Sequence, residues 1–195
     1  MLLQGVNIVH VEINNEHGGI VAEVIELLAQ SIHDLGFKVT VSKNHFYQHS
    51  LNVVIGATAY LIHKDLDSLR AMGPPYVVMQ MEPLDDVYGF LRKYPLYVGF
   101  LKDAIQIWDY AEGNIEFLKQ MGFGEGYYIP IGYAQRLERI VPAAVQDIDV
   151  LFYGAVNERR RVLLAALEAH GVNLMALFSA YGELRDGAIA RSKIV

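Results

Sequence analysis

Three consecutive arginines, Arg159, Arg160 and Arg161, follow Asn157-Glu158, where a strand (Val150 to Tyr153) has turned through Gly154 toward a helix. A helix N-terminus carries partial positive charge, and each cation placed there costs about 0.3–1 kcal/mol. The same terminus offers free N–H groups, and an arginine fork beside them makes a receptor for an anion such as a diphosphate. With Asn157 as N-cap, the arginines fill the first turn. Successive side chains there diverge by about 100°, so only one or two can face one ligand. An anion receptor explains the charge mismatch. A solvated cluster balanced by Glu158 and Glu168 only tolerates it.

Other groups capable of chemistry stand where strands end, the side on which open α/β sheets hold ligands. Asn14-Asn15-Glu16-His17-Gly18-Gly19 follows the first strand. Its paired glycines let a ligand approach the backbone, and the helix expected from Ile20 offers N–H groups to an anion or a sugar hydroxyl. The competing reading is a tight turn that needs glycine. Glu82, in Met81-Glu82-Pro83, and Asp109, in Asp109-Tyr110, place carboxylates after the fourth and fifth strands. Glu82 otherwise reads as a solvated strand end, and Asp109 as a helix N-cap.

Three other patterns carry less. Asp65-Leu66-Asp67 has the form of a metal-binding DxD but lies in a stretch with helical character, where it marks a solvated face. His45 and His49 lack the glutamate of a zinc-binding HExxH helix. Gly122-Phe123-Gly124-Glu125-Gly126 is a glycine-rich turn on the edge opposite a phosphate site. No metal is expected. The first glycine loop lacks GxGxxG, and Val41-Ser42-Lys43 supplies no ribose-binding acid, which disfavours an NAD-dependent enzyme.

The elements that must position these groups alternate strand and helix. Strands are predicted at 7–13, 37–42, 51–57, 75–82, 105–110 and 127–133. A helix follows the first, with Ile20, Val24, Leu28, Ile32 and Leu35 at steps of three and four and Gly36 at its close. Pro95 argues against one unbroken helix between strands four and five. A helix over 111–122 follows strand five. This alternation implies a parallel, Rossmann-like sheet flanked by helices. Residues 136–147 read as a linker after a domain at 1–135. Residues 148–195 then begin a second Rossmann-like unit with about two complete strands, below the three usually needed for independent stability.

The 195 residues suffice for one large domain or two small ones. A net charge of -6 argues against non-specific nucleic-acid binding, and no cysteine is present to supply a disulfide, a thiolate zinc site or a nucleophile. The N-terminus MLLQGVNIVHVEI lacks a basic n-region, and no apolar run approaches the ~18–20 residues of a spanning helix. A cytoplasmic protein without a transmembrane segment is expected.

IQIWDYAEGNIEFLKQMGF, YYIPIGY, DIDVLFYGAVNERRRVLLAALEAHG and YGELRDGAIARSKIV together resemble bacterial and viral glycosyltransferases of the GT-B type, related to the spore-maturation CgeB-like proteins. The resemblance covers essentially the whole chain, most distinctively from Trp108 onward. It implies an N-terminal acceptor domain and a C-terminal domain for a UDP- or GDP-linked sugar, with no required metal or other cofactor. His17, Gly18 and Gly19 would face the cleft from the acceptor side. Gly154, Asn157, Arg159 and Arg160 would begin the donor diphosphate site, joined by Tyr181, Gly182 and Glu183 after the next strand. Donor domains of this kind continue past the segment matching Ala190 to Lys193, so the chain alone is expected to be inactive.

The function so implied is sugar transfer from a nucleotide sugar to an acceptor. Arg159 or Arg160 would neutralise the leaving diphosphate, and His17, Glu82 or Asp109 would serve as base if the reaction inverts. The alternative is a non-catalytic module that binds a glycan or a partner and dimerises through residues 148–195, whose unfinished sheet exposes an edge.

Overall fold

The computed structural model describes residues 5–11, 18–61, 67, 71, 73, 75–84, 90–123 and 126–195. The chain divides into two compact units, Met1–Leu137 and Glu138–Val195.

Among the described residues the first unit holds six strands: β1 (Val6–His10), β2 (Val39–Lys43), β3 (Leu51–Ile55), β4 (Tyr76–Gln80), β5 (Gln106–Asp109) and β6 (Gly126–Tyr128). They form one sheet in the order β2-β1-β3-β4-β5-β6, and every neighbouring pair is parallel. Helices α1 (Gly18–Asp34), α2 (Ala57–Leu61), α3 (Phe90–Lys93), α4 (Pro95–Asp103) and α5 (Glu112–Gln120) accompany it. This is the α/β, Rossmann-like arrangement that strand–helix alternation predicts.

Strands β3 and β4 are apolar almost throughout because both sheet faces are covered. On one face Ile8, Val53, Val77 and Met79 pack with Ile25 and Ile32 of α1. On the other, Val9, Val54 and Val78 pack with Tyr97, Phe100 and Leu118 from α4 and α5. The break between α3 and α4 falls at Tyr94, with Pro95 opening the second helix where its missing N–H costs no bond.

Two boundaries differ from the sequence expectation. Helix α1 begins at Gly18, ahead of Ile20, and ends at Asp34, which leaves Leu35 75% exposed. Its inward stripe therefore runs through Val21, Ile25, Leu28, Ala29 and Ile32, not through Leu35. Strand β6 stops at Tyr128 instead of reaching 133. Ile129 N still donates to Asp109 O at 2.7 Å, but Pro130 has no N–H to continue the ladder.

The second unit contains β7 (Ile148–Tyr153), α6 (Glu158–Ala169), β8 (Leu174–Leu177), α7 (Gly182–Ala190) and β9 (Ser192–Ile194). Its parallel sheet has the order β8-β7-β9. Ile148, Leu151 and Ala188 form its buried core, with Met175, Leu177 and Ile189 against them, and α6 buries no residue fully. Polar links tie β7 to its neighbours. Arg191 pairs with Asp147, Lys193 Nζ lies 2.6 Å from Asp149, and Asn173 N donates to the other Asp149 oxygen at 2.9 Å. Among the described residues, no helix is long and apolar enough to cross a membrane.

Candidate functional site

Chain order in the first sheet reverses at β1, which runs outward to β2 before the chain returns to β3. The ligand-side crevice of such a sheet lies between the carboxyl ends of β1 and β3. Gly56 closes β3 there with φ +81°, and a Cβ on it would meet Val11 O at 2.9 Å. Only glycine fits that approach. Gly18 and Gly19 are the first two residues of α1, and His17 lies outside the described residues.

Further along the same rim, β4 and β5 bring Glu82 and Asp109 together through a buried polar network. Asp109 closes β5 with no solvent exposure. Its Oδ2 accepts from Gln80 Nε2 at 2.9 Å and from Asn114 Nδ2 at 2.8 Å, while Oδ1 accepts from Ala111 N at 2.8 Å. The N-cap of α5 is Ala111, so Asp109 steadies the helix from two residues before it and is not the cap itself. Burial pushes the Asp109 carboxyl above the ordinary carboxylate range, although the bonds from Ala111, Asn114 and Gln80 resist the rise. With both oxygens occupied, Asp109 is built to position other groups.

The object of that positioning is the loop after β4. Gln80 Nε2 donates to Glu82 O, and Glu82 N donates to Gln80 Oε1, both at 2.6 Å. The carboxamide thus pairs with the Glu82 main chain as a neighbouring strand would. Asn114 Nδ2 adds a second donor to Glu82 O at 2.9 Å, and Leu84 N donates to Asn114 Oδ1 at 3.1 Å. Tyr97 Oη donates to Gln80 Oε1 at 3.1 Å, and Tyr110 Oη to Met81 O at 3.2 Å. Burial, followed by the charges of Glu82 and Asp109, raises the Tyr97 phenol; burial, then Asp109 and Glu82, raises that of Tyr110.

Glu82 is half-buried as a residue, and its carboxylate has no hydrogen-bond or ion-pair partner among the described residues. Sequence reasoning found Glu82 and Asp109 but missed Gln80, Asn114 and Tyr97. The available signal was Gln80 itself, a polar residue closing the otherwise apolar run of β4.

In the second unit the β7–α6 turn gathers Gly154, Asn157 and the arginines. Gly154 has φ +132°, and its N–H donates to Leu177 O at 2.9 Å, continuing the pairing with β8. Asn157 is the N-cap of α6, its side chain accepting from Arg160 N at 3.0 Å. The arginines have separate fates. Arg161 forks onto Glu158. Arg160 folds back to Ala155 O at 2.7 Å and lies 5.5 Å from the Phe152 ring. Arg159 is exposed and makes no side-chain hydrogen bond or ion pair among the described residues.

Tyr181 is the N-cap of α7 without a side-chain cap bond, and Glu183 is in that helix's first turn. These residues follow β8, the neighbour of β7. The sequence reading passed over Arg185, which is buried against the Tyr153 ring and bonded to Asp186 at 2.6 Å.

Asp65 lies outside the described residues, and the Asp67 carbonyl accepts from Ala71 N at 2.9 Å. His45 and His49 are exposed on the irregular segment before β3. An open cleft of about 490 Å³ beside α1, with Glu26, His33, Val41 and Arg136 on its walls, collects none of the candidate residues.

No family model matches the chain, and no solved structure does. An uncharacterized protein of Acanthamoeba polyphaga mimivirus, L137, is 30% identical over 101 residues. That similarity takes in 49% of this chain and 13% of the viral protein, so the chain matches only a small part of its relative's length.

Proposed function

We propose that the chain is part of a glycosyltransferase of the CgeB-like GT-B kind, which moves a sugar from a UDP- or GDP-linked donor to a hydroxyl-bearing acceptor. The observation that carries this is the β7–α6 turn. A positive-φ glycine, an asparagine cap and Arg159, exposed and without a side-chain partner among the described residues, gather where a parallel strand ends, an arrangement suited to a diphosphate. Arg159 offers the departing diphosphate an exposed cation, and Arg160, already bound to Ala155 O, shapes the loop beneath. Tyr181 and Glu183 stand at the next strand's rim, where a nucleoside would extend. Gly18 and Gly19 open α1 on the acceptor side, and Glu82 and Asp109 share the neighbouring rim.

Titration of the full chain with UDP and GDP, followed by thermal unfolding, tests this reading. A nucleotide at 100 times its Kd stabilises the state that binds it by about 2.7 kcal/mol. The expected rise in unfolding temperature disappears in Arg159→Ala. A chain indifferent to both nucleotides rejects the proposal.

A second reading is a non-catalytic module that binds a partner or a second copy through residues 148–195. Val162, Leu163, Phe178, Leu184 and Ile194 are each more than half exposed there, an unusual density of apolar surface for so small a unit. Sedimentation over a concentration series separates the two, because the module self-associates without nucleotide.

A further inference from the structure

We propose that the outer edge of β2 is the surface through which the chain pairs with a second copy of itself, extending the first unit's sheet across a two-fold axis. The inference stands apart from both readings of function and concerns the first unit alone. Strand β2 ends its sheet and is paired with β1. Val6 N donates to Lys38 O at 2.8 Å and Asn44 N to His10 O at 3.0 Å, which fixes the parity of the ladder. The main-chain groups of Lys38, Thr40 and Ser42 therefore point to β1, and those of Val39 and Val41 point outward. Among the described residues nothing bonds to these outward groups.

End strands are usually kept from pairing by charge, proline or short length. The sheet's other edge, β6, has three residues, and Pro130 stands just past it. Strand β2 has five residues, no proline and no charge before Lys43. It carries instead an apolar row at alternate positions. Phe37 is 56% exposed and Val41 53%, with Val39 half-buried between them. Val39 and Val41 also wall the cleft beside α1. The strand's other face is polar and already satisfied: Thr40 Oγ1 donates to Asn7 Oδ1 at 3.1 Å, and Ser42 Oγ to His45 O at 2.7 Å.

The order of residues along this edge selects a second copy as the partner. A two-fold axis beside an end strand makes the new pairing antiparallel. Centred on Val39, the register sets Val39 against itself and Phe37 of each copy against Val41 of the other. The two apolar rows then meet on one face, aromatic beside β-branched, while Lys38 meets Thr40 on the other face and no like charges oppose. Val39 N of each copy donates to Val39 O of the other, and Val41 N of each to the other's Phe37 O. The Phe37 N–H is not needed, being committed to Ile32 O at 3.3 Å.

Sedimentation of the full chain over a concentration series, with amide exchange at both ends of that series, tests the pairing. A dimer is expected. As it forms, exchange should slow at Val39 and Val41 and stay unchanged at Thr40 and Ser42, which already face β1. Val41→Pro removes an outward N–H that the fold does not use and is expected to weaken dimerisation about tenfold or more. Val41→Glu, which keeps that N–H, serves where proline disturbs the strand. Val39→Cys places the chain's sole thiol on the axis and is expected to form an intermolecular disulfide on oxidation, whereas Lys43→Cys is not. A chain that stays monomeric overturns the proposal and leaves the edge to a strand of another protein or to none. A dimer that both Val41 variants leave intact, or that slows exchange only within residues 148–195, overturns it in favour of the second unit. Once Val41→Pro has silenced this edge, that variant is the background in which sedimentation compares the two readings of function.

Discussion

The two units share a parallel α/β plan but are held together differently. The first encloses apolar side chains on both faces of a six-stranded sheet, with Phe100 wholly buried at the centre of one core. The second has a three-stranded sheet, a core around Ile148, Leu151 and Ala188, and ion pairs along the start of β7. Area buried from water dominates folding energy, while exposed ion pairs contribute about 0–1 kcal/mol each. The same local grammar of strand, turn and helix thus yields a well-packed layer in one unit and a thinly covered one in the other.

Core truncation is the strongest way to separate them. Phe100→Ala should cost about 3–5 kcal/mol, seen by denaturant unfolding as a shift of the first unit's transition alone. Leu151→Ala should cost about 2–3 kcal/mol, at the lower end for such truncations because a thin core collapses more easily, and should move only the second transition. One shared transition moved by both variants would break the two-unit comparison. Loss of the cap in Asn157→Ala should remove about 1 kcal/mol and fray the first turn of α6, visible as faster amide exchange at Arg160.

Acid should act on the units in opposite senses. Bonds from Arg191 and Lys193 hold the Asp147 and Asp149 carboxyls below the ordinary range. Burial would raise Asp186, but bonds from Arg185 and Arg139 outweigh it and hold this carboxyl low as well. Depressed carboxylates contribute stability above their unfolded value, near pH 4, and that contribution is lost as pH falls through their folded values. Asp109 is raised, so its contribution is complete below about pH 4 and is lost as pH rises through its folded value. Amide exchange should therefore show the second unit opening first on acidification; the reverse order would count against this division of charge. The smallest effect is expected for Arg161→Ala, at most about 0.5 kcal/mol, since its pair with Glu158 is exposed.

Much of this was legible in the sequence where local chemistry decides the outcome. Apolar runs bounded by turns marked the strands, Pro95 marked the break between α3 and α4, and Asn157 marked the start of α6. Tertiary context decided the rest. Leu35 fits the helical repeat of α1 but falls past its end, and the strand reading of 127–133 ran past Pro130. At the candidate sites, Glu82 and Asp109 were visible as carboxylates after strands. Their difference was not, because it depends on Asn114 reaching across from α5, 32 residues away from Glu82. The sequence reading left the choice between Arg159 and Arg160 open, and only their separate contacts distinguish Arg159.

The reach of those bonds also sets an order of assembly. Gln80 and Glu82 are two residues apart, so their ring of bonds closes at almost no cost in chain entropy as β4 forms. The links from Asp109 to Gln80 and from Asn114 to Glu82 bridge 29 and 32 residues and must await the docking of β5 and α5. In kinetic terms, a bend around Glu82 can form early and be locked late. Truncating Gln80 should then slow folding more than it speeds unfolding, while truncating Asn114 should do the opposite.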